Sequence, residues 1–388
     1  MDSFKPEQDL IVIGGGPKGL AMHCAAQRSG LNSLLLEVGR LGQSWEKSRV
    51  SPTLPIRPPN LEIIGDEAQG FKAYLSSSEA QKLLASHPIP ESGPCALHFH
   101  AYLQWLKDKT PNIQEATPCQ RLTKKEDYYQ INGVWKTRNV VVATGQIGYG
   151  KDEFSYDATQ KADTKFVAHT PAHVRDEAGY REFLGAAEEI AIVGANAGAL
   201  GALFTLNEIN FTGKVHLIGQ YNAKAELLQE LQRQGWALEK LQNSSFSIQY
   251  HNHGSVVNAE VEAKHVLLDL INHTRLTVER CLVATGYRFD VSKIPFLQEL
   301  INTGALLLSD NKRYPKLQSD FSAQSEDELS GLFFMGTAAV AVNPQERWLE
   351  STRETVNTIL KAIGERASDH QRSTFTSSGS SPVSVMYF

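Results

Sequence analysis

Residues 9–37, DLIVIGGGPKGLAMHCAAQRSGLNSLLLE, spell a strand, a glycine turn, a helix and a second strand, and few folds accommodate that run. Gly14, Gly16 and Gly19 fall on the G-x-G-x-x-G spacing. The first glycine permits a tight turn, the second lets the backbone approach a pyrophosphate, and the third lets helix pack closely on strand. The helix opens at Pro17 and Lys18, where free N–H groups and the positive dipole end face a phosphate. Glu37 closes the second strand, placed to accept hydrogen bonds from a ribose 2′-hydroxyl. Strand, glycines, helix, second strand and terminal acid stand in register, so the segment reads as a dinucleotide cradle.

The opening is restated once. Residues 189–199, EIAIVGANAGA, repeat strand, turn and helix start, and residues 214–220, KVHLIGQ, supply the matching second strand. Each copy later runs through a hairpin-like segment into Ala-Thr-Gly. The first is YYQINGVWKTRNVVVATG, with Asn132-Gly133 as a two-residue turn, ending at Thr144 and Gly145. The second is HVLLDLINHTRLTVERCLVATG, ending at Ala284, Thr285 and Gly286. Two such units imply two dinucleotides. The second copy carries Gly194, Asn196 and Ala199 at the three glycine positions, with Ala197 and Gly198 opening its helix. Asn tolerates unusual backbone angles but adds bulk beside the phosphates; Ala at the third place is a fingerprint variant. Its second strand ends Ile218-Gly219-Gln220 without the acid that would repel a 2′-phosphate, and Lys224 follows closely. The first copy therefore reads as an FAD site and the second as an NADPH site.

Further motifs carry a family resemblance. Arg40-Leu41-Gly42-Gln43-Ser44-Trp45 resembles a G-G-x-W segment, residues 166–174 (FVAHTPAHV) resemble a linker signature through His169-Thr170, Ala284-Thr285-Gly286-Tyr287 matches A-T-G-Y, and residues 331–337 (GLFFMGT) resemble a strand closing on the flavin. The chain is thus similar to class B flavin-dependent monooxygenases, the group of flavin monooxygenases, Baeyer–Villiger enzymes and amine N-hydroxylases. The resemblance implies Gln43, Trp45, Gly336 and Thr337 at the FAD, and Tyr287 at the NADPH. It implies dioxygen as co-substrate and a flavin hydroperoxide that oxygenates a small molecule, at an amine nitrogen or sulfur. In the proline-rich loop 48–60, alignment to that family puts Arg57 and Asn60 near the reactive edge as candidate catalytic residues. Thr337 stands where thioredoxin-reductase-like enzymes carry Asp, and no C-x-x-C is present. Two alternatives stay open: an FAD-dependent NAD(P)H oxidoreductase of the disulfide-reductase type, and a non-catalytic dinucleotide-binding flavoprotein.

The expected fold class is α/β, with two Rossmann-like, three-layer ββα domains, the second inserted into the first. The boundaries fall at 1–160 with 290–365 for the FAD domain, 161–289 for the NADPH domain, and 366–388 for a flexible tail. Length supports this, since 388 residues can bury more than one core. A net charge of −5 gives no pull toward nucleic acid or an anionic membrane. No apolar run approaches the length of a spanning helix. Cys24 and Cys281 read as small core residues in a reducing, cytoplasmic setting. His251-Asn252-His253 would share one strand face, yet no third ligand stands near, so no metal is expected. Oligomeric state is not legible.

Overall fold

In a computed structural model of the chain, the residues described are 8–46, 62–64, 68–89, 93–145, 165–169, 174, 177–234, 239–286, 289–325, 329–347 and 349–377. Arg57, Asn60, Thr170 and Tyr287 lie outside them.

Leu10, Ile11, Val12 and Ile13 are all buried, as a strand covered on both faces requires. They form β1 (Gln8–Ile13), which runs parallel between β2 (Ser33–Leu36) and β6 (Trp135–Val142). β3 (Ile113–Gln114) extends the sheet beyond β2. On its other side β6 is shared. Its first half takes β5 (Tyr129–Ile131) antiparallel, followed by β4 (Leu122–Lys124), and its second half takes β15 (Leu332–Phe334) parallel. The hairpin loop holds three residues, 132–134, rather than two, because Ile131 pairs with Trp135. Asn132 is pinned by bonds from the N–H groups of Gln120 and Arg121 to its Oδ1, and by its own donation to the Pro118 carbonyl.

The middle of the chain builds a second, all-parallel sheet in the order β10-β9-β8-β14-β7. Its strands are β7 (Val167–His169), β8 (Glu189–Val193), β9 (Lys214–Ile218), β10 (Ser247–His251) and β14 (Arg280–Val283). One face meets the helices Glu177–Leu184, Ala197–Glu208 and Ala223–Gln234 through Ile190, Ile192, Leu200, Leu203 and Leu227. The other face meets an antiparallel meander of β11 (Val256–Glu262), β12 (His265–Leu270) and β13 (Arg275–Val278). There Val266, Leu268 and Val278 pack against Ala191, Val193 and Val283. Meander, parallel sheet and helices make the three layers, ββα.

The two copies part company where the hairpin meets the parallel sheet. In the first, β6 passes unbroken from hairpin to parallel sheet. In the second, Glu279 separates β13 from β14, and its carboxylate accepts from the N–H groups of Glu188 and Glu189. There the hairpin leaves the sheet and forms a layer of its own.

The first core gathers residues from Leu10 to Ala143 and again from Phe289 to Ile363. The cores between, around the second sheet, run from Val167 to Ala284. The tail expected from residue 366 is corrected in part, because the last helix is Thr352–Ser377. Gly364 alone costs only about 1 kcal/mol in a helix interior. Just beyond it Arg366 stacks over the Phe333 ring at 4.8 Å and pairs with Asp320 at 3.4 Å.

Candidate functional site: twin clefts at the strand ends

The two glycine turns superpose in their chemistry. Gly14 and Gly194 both have φ of 112°, where a side chain would be strained, and their N–H groups donate at 2.8 Å to Leu36 and Ile218 carbonyls. A Cβ on Gly14 would lie 2.5 Å from the Ala143 carbonyl oxygen, and one on Gly194 would lie 2.4 Å from that of Ala284. Each turn is therefore pressed onto the Ala of its own Ala-Thr-Gly. The next residue in each, Thr144 or Thr285, buries its Oγ1 with no hydrogen-bond partner among the described residues. A buried hydroxyl without a partner costs on the order of 1–3 kcal/mol, so two at equivalent positions mark two places where a polar ligand fits.

At the first turn, Gly16 is the N-cap of the helix Pro17–Arg28, and no atom of the described residues lies within 4 Å of a Cβ placed there. Gly19 packs so closely that a Cβ would sit 1.9 Å from the Gly14 carbonyl oxygen. The Glu37 carboxylate accepts from Gly15 N–H at 2.5 Å and Gly39 N–H at 2.8 Å. Each of its oxygens keeps a lone pair for a ribose hydroxyl. Gly42 N–H donates to the Gly15 carbonyl at 3.0 Å, tying the segment that bears Gln43 and Trp45 to the glycine turn. Trp45 meets Phe99 edge-on, with ring centroids 4.7 Å apart. It thereby clamps the helix Ala96–Asp108, whose Tyr102, Trp105 and Leu106 are buried core.

Lys18 departs from expectation. Its ammonium donates to Glu346 Oε2 at 2.9 Å and Ser351 Oγ at 2.8 Å rather than capping a phosphate position. Glu346, fully buried, also accepts from Gly336 N–H at 2.8 Å and from the Thr355 hydroxyl. Burial pushes the Lys18 pKa below the ordinary lysine value against the opposing pull of Glu346. Thr337 follows in the 3-10 turn Gly336–Ala339, directly after β15.

The second cleft, about 500 Å³, opens over the ends of β8 and β9 and is lined by Gly194, Asn196, Gln220, Glu226, Arg233 and Thr285, among others. Asn196 caps the helix Ala197–Glu208: its Oδ1 accepts from Gly198 N–H at 2.8 Å, and its Nδ2 donates to the Ala284 carbonyl at 2.6 Å. Lys224 does not line this cleft; its ammonium lies 5.9 Å from the Tyr250 ring. Among the described residues the cation in the cleft wall is Arg233, ion-paired with Glu230. It comes there from the last turn of the helix Ala223–Gln234, beyond the reach of a motif read near the strand end.

The remaining histidines and cysteines are distributed otherwise than their spacing suggests. β10 ends at His251, so His253 sits in a turn with φ of 50° and does not share its strand face. His251 Nε2 instead lies 2.8 Å from His216 Nδ1, and His216 Nε2 lies 2.7 Å from Glu189 Oε1. Among the described residues no group of three or more His, Cys, Asp or Glu could hold a metal ion. All four cysteines are free. Cys95 Sγ lies 3.1 Å from His98 Nδ1 at the start of the helix Ala96–Asp108.

A sequence profile described as pyridine nucleotide-disulphide oxidoreductase matches residues 11–336. No curated protein matches the sequence. Among solved structures, the chain is similar to the FAD-bound cadaverine monooxygenase of desferrioxamine biosynthesis from Erwinia amylovora, at 15% identity and a TM-score of 0.68, covering 92% of this chain and 94% of that one. It is similar to the ornithine N-hydroxylase of Kutzneria sp. 744, solved with reduced FAD, NADP+ and L-ornithine, at 16% identity and 0.67, covering 93% and 100%. It is also similar to the bacillithiol disulfide reductase of Bacillus cereus, at 18% identity and 0.63, covering 92% and 99%. No helix of the described residues is long and apolar enough to cross a membrane.

Proposed function

We propose that the chain, which belongs to the pyridine nucleotide-disulphide oxidoreductase family, is an FAD-dependent monooxygenase that uses NADPH and dioxygen to oxygenate a small molecule at an amine nitrogen or a sulfur. The observation that carries the two-cofactor reading is the pair of buried hydroxyls, Thr144 and Thr285, each without a partner among the described residues and beside a glycine turn and a helix start. In this reading the first core, residues 1–160 with 290–365, holds FAD, and residues 161–289 hold NADPH. Gly14 and Gly19 form the tight turn and its close helix packing, Gly16 gives the FAD pyrophosphate room, Glu37 takes its ribose and Thr144 its nearest oxygen. Gly194, Gly198 and Thr285 do the same for NADPH, and Arg233, in place of Lys224, takes the 2′-phosphate.

When bound, FAD supplies a two-electron carrier between the nicotinamide and oxygen. The chain's share of the work is to hold the two cofactors, orient them and keep water away. Oxygenation is favoured over disulfide reduction by Thr337 in the closing segment and by the lack of a C-x-x-C pair in the sequence. Two of the three similar structures named above are called a monooxygenase and an N-hydroxylase. The second reading, an NAD(P)H oxidoreductase acting on a disulfide substrate, is favoured by the likeness to the bacillithiol disulfide reductase.

One experiment separates them. The FAD-loaded protein is reduced with NADPH without oxygen, then mixed with oxygen in a stopped-flow spectrometer. A long-lived near-ultraviolet absorbance before the oxidised flavin returns supports oxygenation. Immediate reoxidation, with turnover of low-molecular-weight disulfides, supports the reductase. Failure of both NADPH and NADH to reduce the flavin sinks both.

A further inference from the structure

We infer that Glu226 supplies the ribose acid that the second copy lacks at its strand end, so that the second cleft accepts NADH alongside NADPH. This rests on the reading of that cleft as the nicotinamide dinucleotide site.

The first copy sets the pattern. Glu37 follows β2 directly, its carboxylate fixed by the N–H groups of Gly15 and Gly39, with lone pairs left for a ribose. Gly14 N–H donates to the Leu36 carbonyl and Gly194 N–H to that of Ile218, so Gly219 stands where Glu37 does. No side chain fits there. A Cβ on Gly219 would lie 2.5 Å from the Cα of Ala223, because the next helix starts hard against the strand end.

That helix brings the acid back. Glu226, in the first turn of the helix Ala223–Gln234, turns its Oε1 to the N–H groups of Tyr221 and Asn222, both at 2.7 Å. It lines the second cleft together with Gly219 and Gln220. A carboxylate held by two backbone N–H groups at the end of the second strand is thus present in both copies, and only its place in the sequence differs. Capping the loop occupies one oxygen. Oε2 accepts no hydrogen bond among the described residues, and the side chain is half-buried in the cleft wall. The loop itself is fixed: Gly219 N–H donates to the His251 carbonyl, Ala223 N–H to Asn252 Oδ1, and His253 N–H to the Tyr221 carbonyl. The acceptor is therefore in place before a ligand arrives.

A ribose with a free 2′-hydroxyl can donate to such a carboxylate, whereas a 2′-phosphate has no such donor and calls for a cation. Arg233 stands in the same wall. Glu226 for the hydroxyl and Arg233 for the phosphate give each dinucleotide its own partner.

The test titrates NAD+ and NADP+ into the FAD-loaded protein by calorimetry, so that no turnover occurs, for wild type and Glu226→Gln. The amide keeps an oxygen for the Tyr221 and Asn222 N–H groups but loses the charge. Wild type should bind both dinucleotides. Glu226→Gln should bind NAD+ about tenfold more weakly, since a hydrogen bond to a charged group is lost, and NADP+ at least as tightly as wild type. NAD+ lacking the adenosine 2′-hydroxyl should likewise bind wild type about tenfold more weakly than NAD+, which answers the question even if the variant does not fold. Equal affinity for that analogue and NAD+ overturns the inference. So does an unchanged NAD+ affinity in Glu226→Gln, or an equal loss of both dinucleotides in a variant that melts like wild type, since Glu226 then only caps its helix. Wild type that binds NADP+ and not NAD+ overturns the inference and leaves the NADPH reading intact. Wild type that binds neither removes the dinucleotide reading of the cleft, and the inference with it.

Discussion

The ammonium of Lys18 lies 2.9 Å from Oε2 of Glu346, a residue 328 positions further along the chain, and both are buried. The pair joins the first dinucleotide-type helix to the segment that follows the closing strand. Removing one partner of a buried ion pair leaves an uncompensated charge and costs about 3–5 kcal/mol. Lys18→Met and Glu346→Leu should each lower stability to that extent, and the double variant should recover at least half of the summed loss because no buried charge remains. Urea unfolding of the four proteins checks this; a double variant as unstable as the sum of the singles would refute it.

Gly16 separates folding from binding. A methyl group there meets nothing within 4 Å among the described residues, so Gly16→Ala should melt within a degree or two of wild type when both are stripped of flavin. Under the proposed function the methyl stands in the pyrophosphate's approach, and FAD content after purification should fall severely. Gly14→Ala should instead lose the fold, since its Cβ would lie 2.5 Å from the Ala143 carbonyl oxygen. Equal FAD content in Gly16→Ala and wild type would remove this cleft as the flavin site.

Arg233 and Lys224 divide the question of cofactor choice. Arg233 lines the second cleft and Lys224 does not. A charge-assisted contact to the 2′-phosphate is worth roughly 1.5–3 kcal/mol, so Arg233→Ala should reduce the preference for NADPH over NADH by about tenfold or more. Lys224→Ala should leave that preference unchanged. The ratio of kcat/KM for the two donors is the measurement, and the reverse pattern would restore Lys224 to the role its sequence position suggests.

Cys95 carries a prediction in pH. Burial pushes its thiol up, but the hydrogen bond and charge of His98 outweigh this and hold it below the ordinary thiol range. Cys119 and Cys281 are pushed up to about 12 by burial. A lowered pKa means more thiolate at a given pH, so Cys95 alkylation by iodoacetamide should set in at lower pH than that of the other cysteines. His98→Ala leaves burial unopposed, and the onset should then move to higher pH. Peptide mapping of the alkylated protein reads both, and an onset unmoved by His98→Ala would show that the imidazole does not tune the thiol.

What could be read in advance was what is written contiguously. The glycine turns, their helices and the Ala-Thr-Gly segments each lie within a few residues of one another, and backbone geometry forces their form. Gly14 and Gly194 adopt the same φ for that reason. What escaped depends on a distant neighbour. Lys18 stands at a helix start that faces a phosphate, and its partner Glu346 is invisible from that position. Arg233 comes to the cleft only through the way its helix crosses the strand ends. His251 pairs with His216 across a strand register that the H-x-H spacing does not reveal. The final helix continues past Gly364 because Phe333 and Asp320 wait for Arg366.

The sharing of β6 between β5 and β15 also fixes an order of assembly during translation. Every described strand of the second sheet and its meander lies between residues 167 and 283, whereas the first sheet needs residues 332–334 before the second half of β6 has a neighbour on the side away from β1. On the ribosome the inserted unit can therefore close while the unit that began the chain is still open. Chains truncated between residues 286 and 331 and freed from the ribosome should resist protease over 167–283 before they do so over 8–143. The amino terminus, made first, belongs to the part of the molecule that is finished last.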